Sequence, residues 1–379
     1  MLINRGVGRG MKRGFPRDVL DSVGKIIDEV AGGGLSAALE YSKRLDGIAP
    51  ENYLITPRPG GDVEVVSAAL TAAESLRRFY EKMTPPSATD YYGGVLRTAL
   101  WKPVRSVGLY VPARYISTLV MLAIPAKIAG VDEIYVVTPP RGVTDELLAV
   151  ARELGVKAVL AIGGPHGLAY AVHHMGVDML AGPGGLYVQA AKYLLSQHVG
   201  IDGIEGPTEL VVYAESVAPD TAARGALAQL EHGPTSFAYV LSPDPQLLRG
   251  VEEIYRRERT SSMGSLETRT VSGVEEAVDL IERIAPEHLE VWGRREVAYR
   301  VKNVGAVSVN MPSPYLDYVA GISHVLPTGG SARWRGIVTP LIFMKAVGIA
   351  EAVGELALLE AARKLAEYEG FPLHRRALL

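Results

Sequence analysis

The chain of 379 residues has no cysteine. That absence excludes disulfides, thiolate-bound metals and a cysteine nucleophile together, so any metal has to be held by His, Asp, Glu, Asn or Gln. Apolar runs long enough to cross a bilayer are also missing, and the basic N-terminus MLINRGVGRGMKRG lacks the apolar centre of a secretory signal. No membrane contact and a cytoplasmic location are therefore expected. There is no excess of either charge: the net value of −3 offers nothing to a polyanion. No nucleic-acid partner is expected, and the arginines and lysines near the N-terminus read as a solvated arm. What is present is an ordinary globular composition, 48% hydrophobic and 21% charged, in a chain long enough for two or more domains.

Residues 16–101 read as mostly helical, with apolar residues at helical spacing over Val19–Val30, Leu35–Leu45 and Val63–Met83, the last ending before Pro85 and Pro86. From Ser106 the period changes. Short apolar strands alternate with helices, and the helix Asp145–Leu154 stops at Gly155. This alternation predicts a parallel, doubly wound sheet covered on both faces. Two glycine-bearing turns, Gly163-Gly164 and Gly182-Pro183-Gly184-Gly185, fall at the carboxyl ends of its strands and open helices, where free N–H groups can meet phosphates. Neither matches G-x-G-x-x-G and there is no P-loop, so backbone geometry alone accounts for these turns equally well. The alternation restarts at Glu209 and runs to a strand at Gly305–Asn310. Ile337–Val353 and Glu355–Glu369 read as helices, stopped by Gly370 and Pro372. The expected class is α/β: two doubly wound, incomplete Rossmann-like parallel-sheet domains with a helical N-terminal segment and a C-terminal helical tail. The expected division joins residues 1–101 to 206–330, sets 102–205 apart as the dinucleotide side, and leaves 331–379 as the tail.

The stretch Gly206–Gly233 reads as a turn, a buried strand from Thr208 to Ala214, and a helix capped by Asp220 and ended by Gly233. Gln229 and His232 lie three apart in the last turn of that helix and point from one face. Their O and N donors suit a divalent metal, although an isolated Q-x-x-H is more often a histidine satisfied by a neighbour. Glu287 and His288 are adjacent in a turn that enters a strand, and both can move protons near neutral pH. A solvated turn is the plainer reading of that pair taken alone. Asp317 and His324 sit in a loop punctuated by Gly and Pro, where Asp317 serves equally as a turn former. Glu367 and Glu369 occupy a last helical turn, where carboxylates oppose the helix dipole, and His374 follows among arginines.

In chain order, GLYVP, MLAIPAKIAG, GPTELVV, QLEHG, APEHLE, DYVAGISHVLPT and the AEYEG…H tail resemble the histidinol dehydrogenase family over most of the chain. The resemblance implies one zinc per subunit, held by Gln229, His232, Asp317 and His374 around the substrate. It implies Glu287 and His288 as the acid–base pair, with His288 also touching substrate. Thr208 stands where the family has a substrate-contacting serine, Glu369 matches a substrate-contacting carboxylate, and His324 has a supporting role. The tail residues are implied to reach the partner subunit's site, making an obligatory homodimer with shared active sites. The chemistry implied is oxidation of histidinol through an aldehyde to histidine with two NAD. The departures fall on the cofactor side: the loop after Pro112 is short, His166 replaces a glutamine, and Gly185 replaces an asparagine. Tyr110 keeps its type among these NAD contacts. Two alternatives stand beside this reading. One is a divergent relative that oxidises another amino alcohol or uses another acceptor. The other is a metal-binding dimer without catalysis, against which the intact Glu287 and His288 count.

Overall fold

The computed structural model describes residues 14–204 and 206–378, so the basic arm expected over residues 1–13 lies outside the described residues. The chain opens with helix α1 (Arg17–Leu45), followed by strand β1 (Leu54–Ile55), helix α2 (Val63–Tyr80), and a hairpin of β2 (Ala88–Tyr92) and β3 (Val95–Pro103). The two helical segments predicted before residue 45 are one helix, interrupted where Gly34 takes φ 58°. The carboxylate of Asp62 accepts the backbone N–H groups of Glu64 and Val65, satisfying donors that the first turn of α2 leaves free.

Strand and helix then alternate as predicted: β4 (Ser106–Tyr110), α3 (Ile116–Ala129), β5 (Glu133–Val137), α4 (Asp145–Glu153), β6 (Ala158–Leu160), α5 (Gly164–His173), β7 (Met179–Ala181), α6 (Leu186–Leu195) and β8 (Gly200–Ile201). Their sheet has the order β1-β6-β5-β4-β7-β8 and is parallel except at β1. The order reverses beside β4, which opens a crevice at its carboxyl end. Helices α3 and α4 cover one face and α5 and α6 the other. Helix α2 lies over the first pair and α1 over the second. Residues 118–126 of α3 are buried all round because the helix lies between the sheet and α2. The N-terminal helices thus belong with residues 106–201 and not, as expected, with 206–330. Their apolar stripes, Val23 and Val30 on α1 and Leu76 and Tyr80 on α2, are covered by the helices of the first sheet.

The second unit runs β9 (Glu209–Ala214), α7 (Pro219–Leu230), β10 (Phe237–Ser242), α8 (Pro245–Glu258), β11 (Ser265–Thr270), α9 (Val274–Ile284), β12 (His288–Trp292), α10 (Glu296–Arg300) and β13 (Ala306–Val309). Its sheet, β11-β10-β9-β12-β13, is parallel throughout. Asp220 does not cap α7: the helix follows Ala218, with Pro219 at its first position, and Asp220 pairs instead with Arg224 one turn on.

The remaining elements are α11 (Ser313–Tyr318), β14 (Met344–Ala352), α12 (Leu359–Tyr368) and α13 (Pro372–Ala377). Residues 344–352, predicted helical, form a strand that pairs antiparallel with β3 along its whole length, giving a third sheet ordered β14-β3-β2. Nine residues of ladder on an open edge outweigh a weak local helix preference.

One buried contact ties α2 to the loop that follows α11: the backbone N–H of Ser323 donates to the Tyr80 hydroxyl at 3.0 Å. Tyr80→Phe strands that N–H in the interior. Stability is expected to fall by about 1–3 kcal/mol, the usual cost of a buried donor left unpaired. Denaturant unfolding checks this as a lower midpoint with an unchanged slope.

Candidate active site

The residues expected to do chemistry gather at the amino edge of the second sheet. Thr208 precedes β9, Glu287 precedes β12 and His288 begins it, and α7 runs back along β9 so that Gln229 returns to the same edge. The glycine turns lie at the opposite kind of edge, the carboxyl edge of the first sheet. His324 joins the two. Its Nε2 is 3.3 Å from the Thr118 hydroxyl at the start of α3, and its Nδ1 donates to the backbone carbonyl of Asp317 at 2.7 Å.

Asp317 is the hub. Its Oδ1 lies 2.8 Å from His288 Nε2, and its Oδ2 accepts the Gln229 amide N–H at 3.1 Å. The same amide nitrogen is 3.3 Å from the Ser313 hydroxyl. Both contacts take the nitrogen end of the amide, so the oxygen points elsewhere. Gln229 is 2% exposed, and its Oε1 has no hydrogen-bond partner among the described residues. A bare buried carbonyl costs about 1–3 kcal/mol unless a ligand meets it. An amide oxygen beside a carboxylate is the start of a hard-donor cation site.

Burial disfavours charge on both members of the Asp317–His288 pair, and each offsets that for the other. His288 is held well above its ordinary pKa: burial pulls it down, but Asp317 and then Glu287 outweigh it. Asp317 is held below its ordinary value: burial pushes up, and His288 outweighs it. His324, half-buried, is held below its ordinary value because burial outweighs the pull of Asp317. Glu287 is fixed by the backbone N–H of Glu209, which donates to its Oε2 at 3.1 Å, and that oxygen is 3.7 Å from His288 Nδ1.

Three expected site residues are not brought into this cluster. His232 falls beyond the end of α7, past the helix cap at Glu231, and is exposed. Spacing within a helix had set it on the face of Gln229, but Gly233 with φ 139° and Pro234 turn the chain away. Glu369, at the end of α12, and His374, in α13, are exposed on the tail. Among the described residues of one chain, no group of three or more His, Asp or Glu could hold a metal ion. Thr208 is half-buried at the same edge.

On the cofactor side, the buried Tyr110 hydroxyl accepts the N–H of Gly164, and burial pushes the phenol up to about 12. His166 is 1% exposed, with Nε2 3.2 Å from the carboxylate of Asp46 and its ring stacked on Tyr41. Both side chains back the glycine turns from inside. Gly185 is exposed, opens α6 without a side-chain cap, and has open space where a side chain would be.

Sequence reasoning passed over Glu209, Glu290 and Ser313. The signal was available for the two glutamates: each is a carboxylate inside a strand that otherwise reads apolar. Glu209 Oε1 accepts the N–H of Gly329 at 2.7 Å, its Oε2 has no partner among the described residues, and burial pushes its pKa up to about 8.

A protein-family model described as histidinol dehydrogenase matches residues 12–379. The chain belongs to the histidinol dehydrogenase family. The histidinol dehydrogenase of Pyrobaculum aerophilum is 77% identical over 366 residues, covering 97% of this chain and 100% of that one. The histidinol dehydrogenase of Saccharolobus solfataricus is 39% identical over 381 residues, 95% of each chain. A crystal structure of histidinol dehydrogenase from Elizabethkingia anophelis matches with a TM-score of 0.85, over 96% of this chain and 92% of that one, at 23% identity, which shows the shared fold. Membership of the histidinol dehydrogenase family makes the chain an oxidoreductase of histidine biosynthesis.

Glu209 yields a prediction whose sign is set by linkage. The unfolded carboxyl ionises near its ordinary 4.5, while the folded one holds its proton to about 8. The folded state binds the extra proton between these values, so stability falls as pH rises through that window and is level above it. Glu209→Gln removes this slope. Relative to the parent, the variant is expected to gain on the order of a few kcal/mol between about pH 5.5 and about pH 8.5. Parallel stability profiles for parent and variant in denaturant titrations would contradict the assignment.

Proposed function

We propose that the chain oxidises L-histidinol to L-histidine through histidinal in a zinc-dependent, four-electron reaction with two NAD, in the cytoplasm, as a homodimer with shared active sites. One observation carries the reading: the buried contact of Gln229, Asp317 and His288, with Gln229 Oε1 left unpartnered among the described residues. The donor set is all nitrogen and oxygen, as zinc accepts. Gln229 and Asp317 would hold the ion from within the cluster, together with His232, which lies exposed just past the end of α7, and the partner's His374. Bound there, the zinc supplies a Lewis-acidic template for the amine and imidazole nitrogens of the substrate. NAD supplies the hydride acceptor, held by Gly185 and the N–H groups that open α5 and α6.

The residues of the chain account for the protons. His288, whose Nε2–H is held by Asp317, takes the alcohol proton at Nδ1, and the carboxylates of Asp317 and Glu287 on either side of the ring stabilise the imidazolium that forms. Glu287, steadied by the Glu209 N–H, takes a proton from the water that adds to the aldehyde. The hydroxyl of Thr208 and the partner's Glu369 bind the polar ends of the substrate. A closed site keeps the aldehyde from side reactions between the two oxidations.

The tail supports the shared site. Helices α12 and α13 pack chiefly on each other and leave Leu365, Phe371 and Leu373 exposed, with Tyr368 91% exposed. An apolar face of this kind marks an interface, and a second copy fits because the same segment carries Glu369 and His374, which the cluster lacks.

The direct test supplies zinc, histidinol and NAD to the purified protein, with two NADH expected per histidinol. Turnover of a different amino alcohol alone would move the reading to a divergent relative. Zinc uptake without turnover of any such substrate would leave a metal-binding dimer. In the same assay His288→Ala is expected to lower kcat by roughly 10²–10⁴-fold with zinc content unchanged, the range for a lost positioned base.

Sharing is tested by complementation. Inactive His374→Ala and His288→Ala chains, mixed and reassembled, place both defects in one site of each heterodimer and leave the other intact. Random pairing then restores about a quarter of parent activity. No recovery, with heterodimers demonstrated, would mean that each tail serves its own chain.

A further inference from the structure

We infer that Glu290 is a positioning residue that sets Gln229, Asp317 and His288 from one layer beneath them; the inference rests on the metal-site reading above. Three elements meet at the site, and Glu290 touches each of them one step further in. On β12 it lies two residues from His288 and therefore on the same face of the sheet. On α11 it grips Ser313, one helical turn before Asp317: Glu290 Oε1 accepts the Ser313 N–H at 2.6 Å. On α7 it fills the space over Gly225, one turn before Gln229, where an added Cβ would fall inside the carboxylate. Its other oxygen accepts the indole N–H of Trp292 at 3.0 Å.

The arrangement is costly if packing is its only purpose. Glu290 is 0% exposed, and burial is the main influence raising its pKa, opposed by Ser313 and Trp292. Gly225 sits mid-helix, where glycine is unfavourable relative to alanine. A well-packed apolar pair in the same space would ordinarily be as stable or more so. What the carboxylate adds is direction. It fixes the Ser313 backbone, the Ser313 hydroxyl meets the Gln229 amide nitrogen, and the Gln229 oxygen is left facing away from both Ser313 and Asp317. Asp317 rides on the same short helix. Loosening Glu290 frees both candidate ligands of α7 and α11 at once, although its own hydrogen bonds go to Ser313 and Trp292 and not to either ligand.

The test measures zinc affinity of the full-length protein by equilibrium competition with a chromophoric chelator, for the parent, Glu290→Gln and Trp292→Phe. Glu290→Gln keeps size and shape but gives up one acceptor oxygen, and Trp292→Phe removes a donor to that carboxylate at a distance from the site. Thermal melting of the metal-free proteins monitors folding. Glu290→Gln is expected to bind zinc about 10–100-fold more weakly, the usual effect of losing a partner behind a metal ligand, with Trp292→Phe weakened in the same direction. Folded variants with affinities within about twofold of the parent would overturn the inference and leave the metal site standing. A parent that takes up no zinc would overturn both. Should Glu290→Gln fail to fold, Trp292→Phe decides alone, weaker binding supporting the inference and parent-like binding overturning it.

Discussion

Asp317 is a carboxylate drawn largely out of water, and its charge has to be met by the side chains around it. His288 meets it from β12 and Gln229 from α7. The carbonyl of the same residue holds His324, and through it the helix α3 of the other unit. A buried charge that loses one partner is far more costly than a lost surface contact. The elements that converge on Asp317 are therefore held in register by a penalty for leaving. This is why a helix of six residues, α11, can carry a functional side chain: its start is held by Glu290 and its end by two donors.

The position of the site follows from how the two sheets are used. A doubly wound sheet leaves a crevice at the carboxyl ends of its strands, and the first sheet keeps its glycine turns there. The second sheet works from the other end. Helix α7 returns antiparallel to β9, so its last turn comes back to the amino edge, where Glu287 and His288 also lie. The two edges meet at one ring, His324, which reaches Thr118 at the start of α3 on one side and the carbonyl of Asp317 on the other.

Much of this was legible in the sequence, for reasons that can be named. Alternation between short apolar runs and longer helical patterns located both sheets, because parallel strands buried on two faces read as short apolar runs and their spacing leaves room for a helix between each pair. The Glu287-His288 turn and the loop of Asp317 were visible as polar groups in chain breaks. The link between Gln229 and Asp317 was not visible in spacing, because it spans 88 positions, and family resemblance alone brought the two together. Residues 344–352 misled because Ala-rich local preference favours a helix, whereas the edge of β3 decides the outcome. The face expected of His232 misled because α7 ends at Leu230, two residues before it. The N-terminal helices were assigned to the wrong unit because an amphipathic stripe does not say which surface will cover it.

The antiparallel pairing that puts residue 352 beside residue 95 has a consequence for how the protein is made. On the ribosome, β3 emerges long before its partner strand exists. At ~5–20 residues per second its outer edge waits roughly tens of seconds for β14. An open strand edge is a template for pairing with other chains. Arg97 and Lys102 interrupt that edge with charge, and β2 already occupies its other side. β14, the strand that leads into the tail, therefore closes this sheet late, and until it does Arg97 and Lys102 are the charges that keep the open edge from pairing elsewhere.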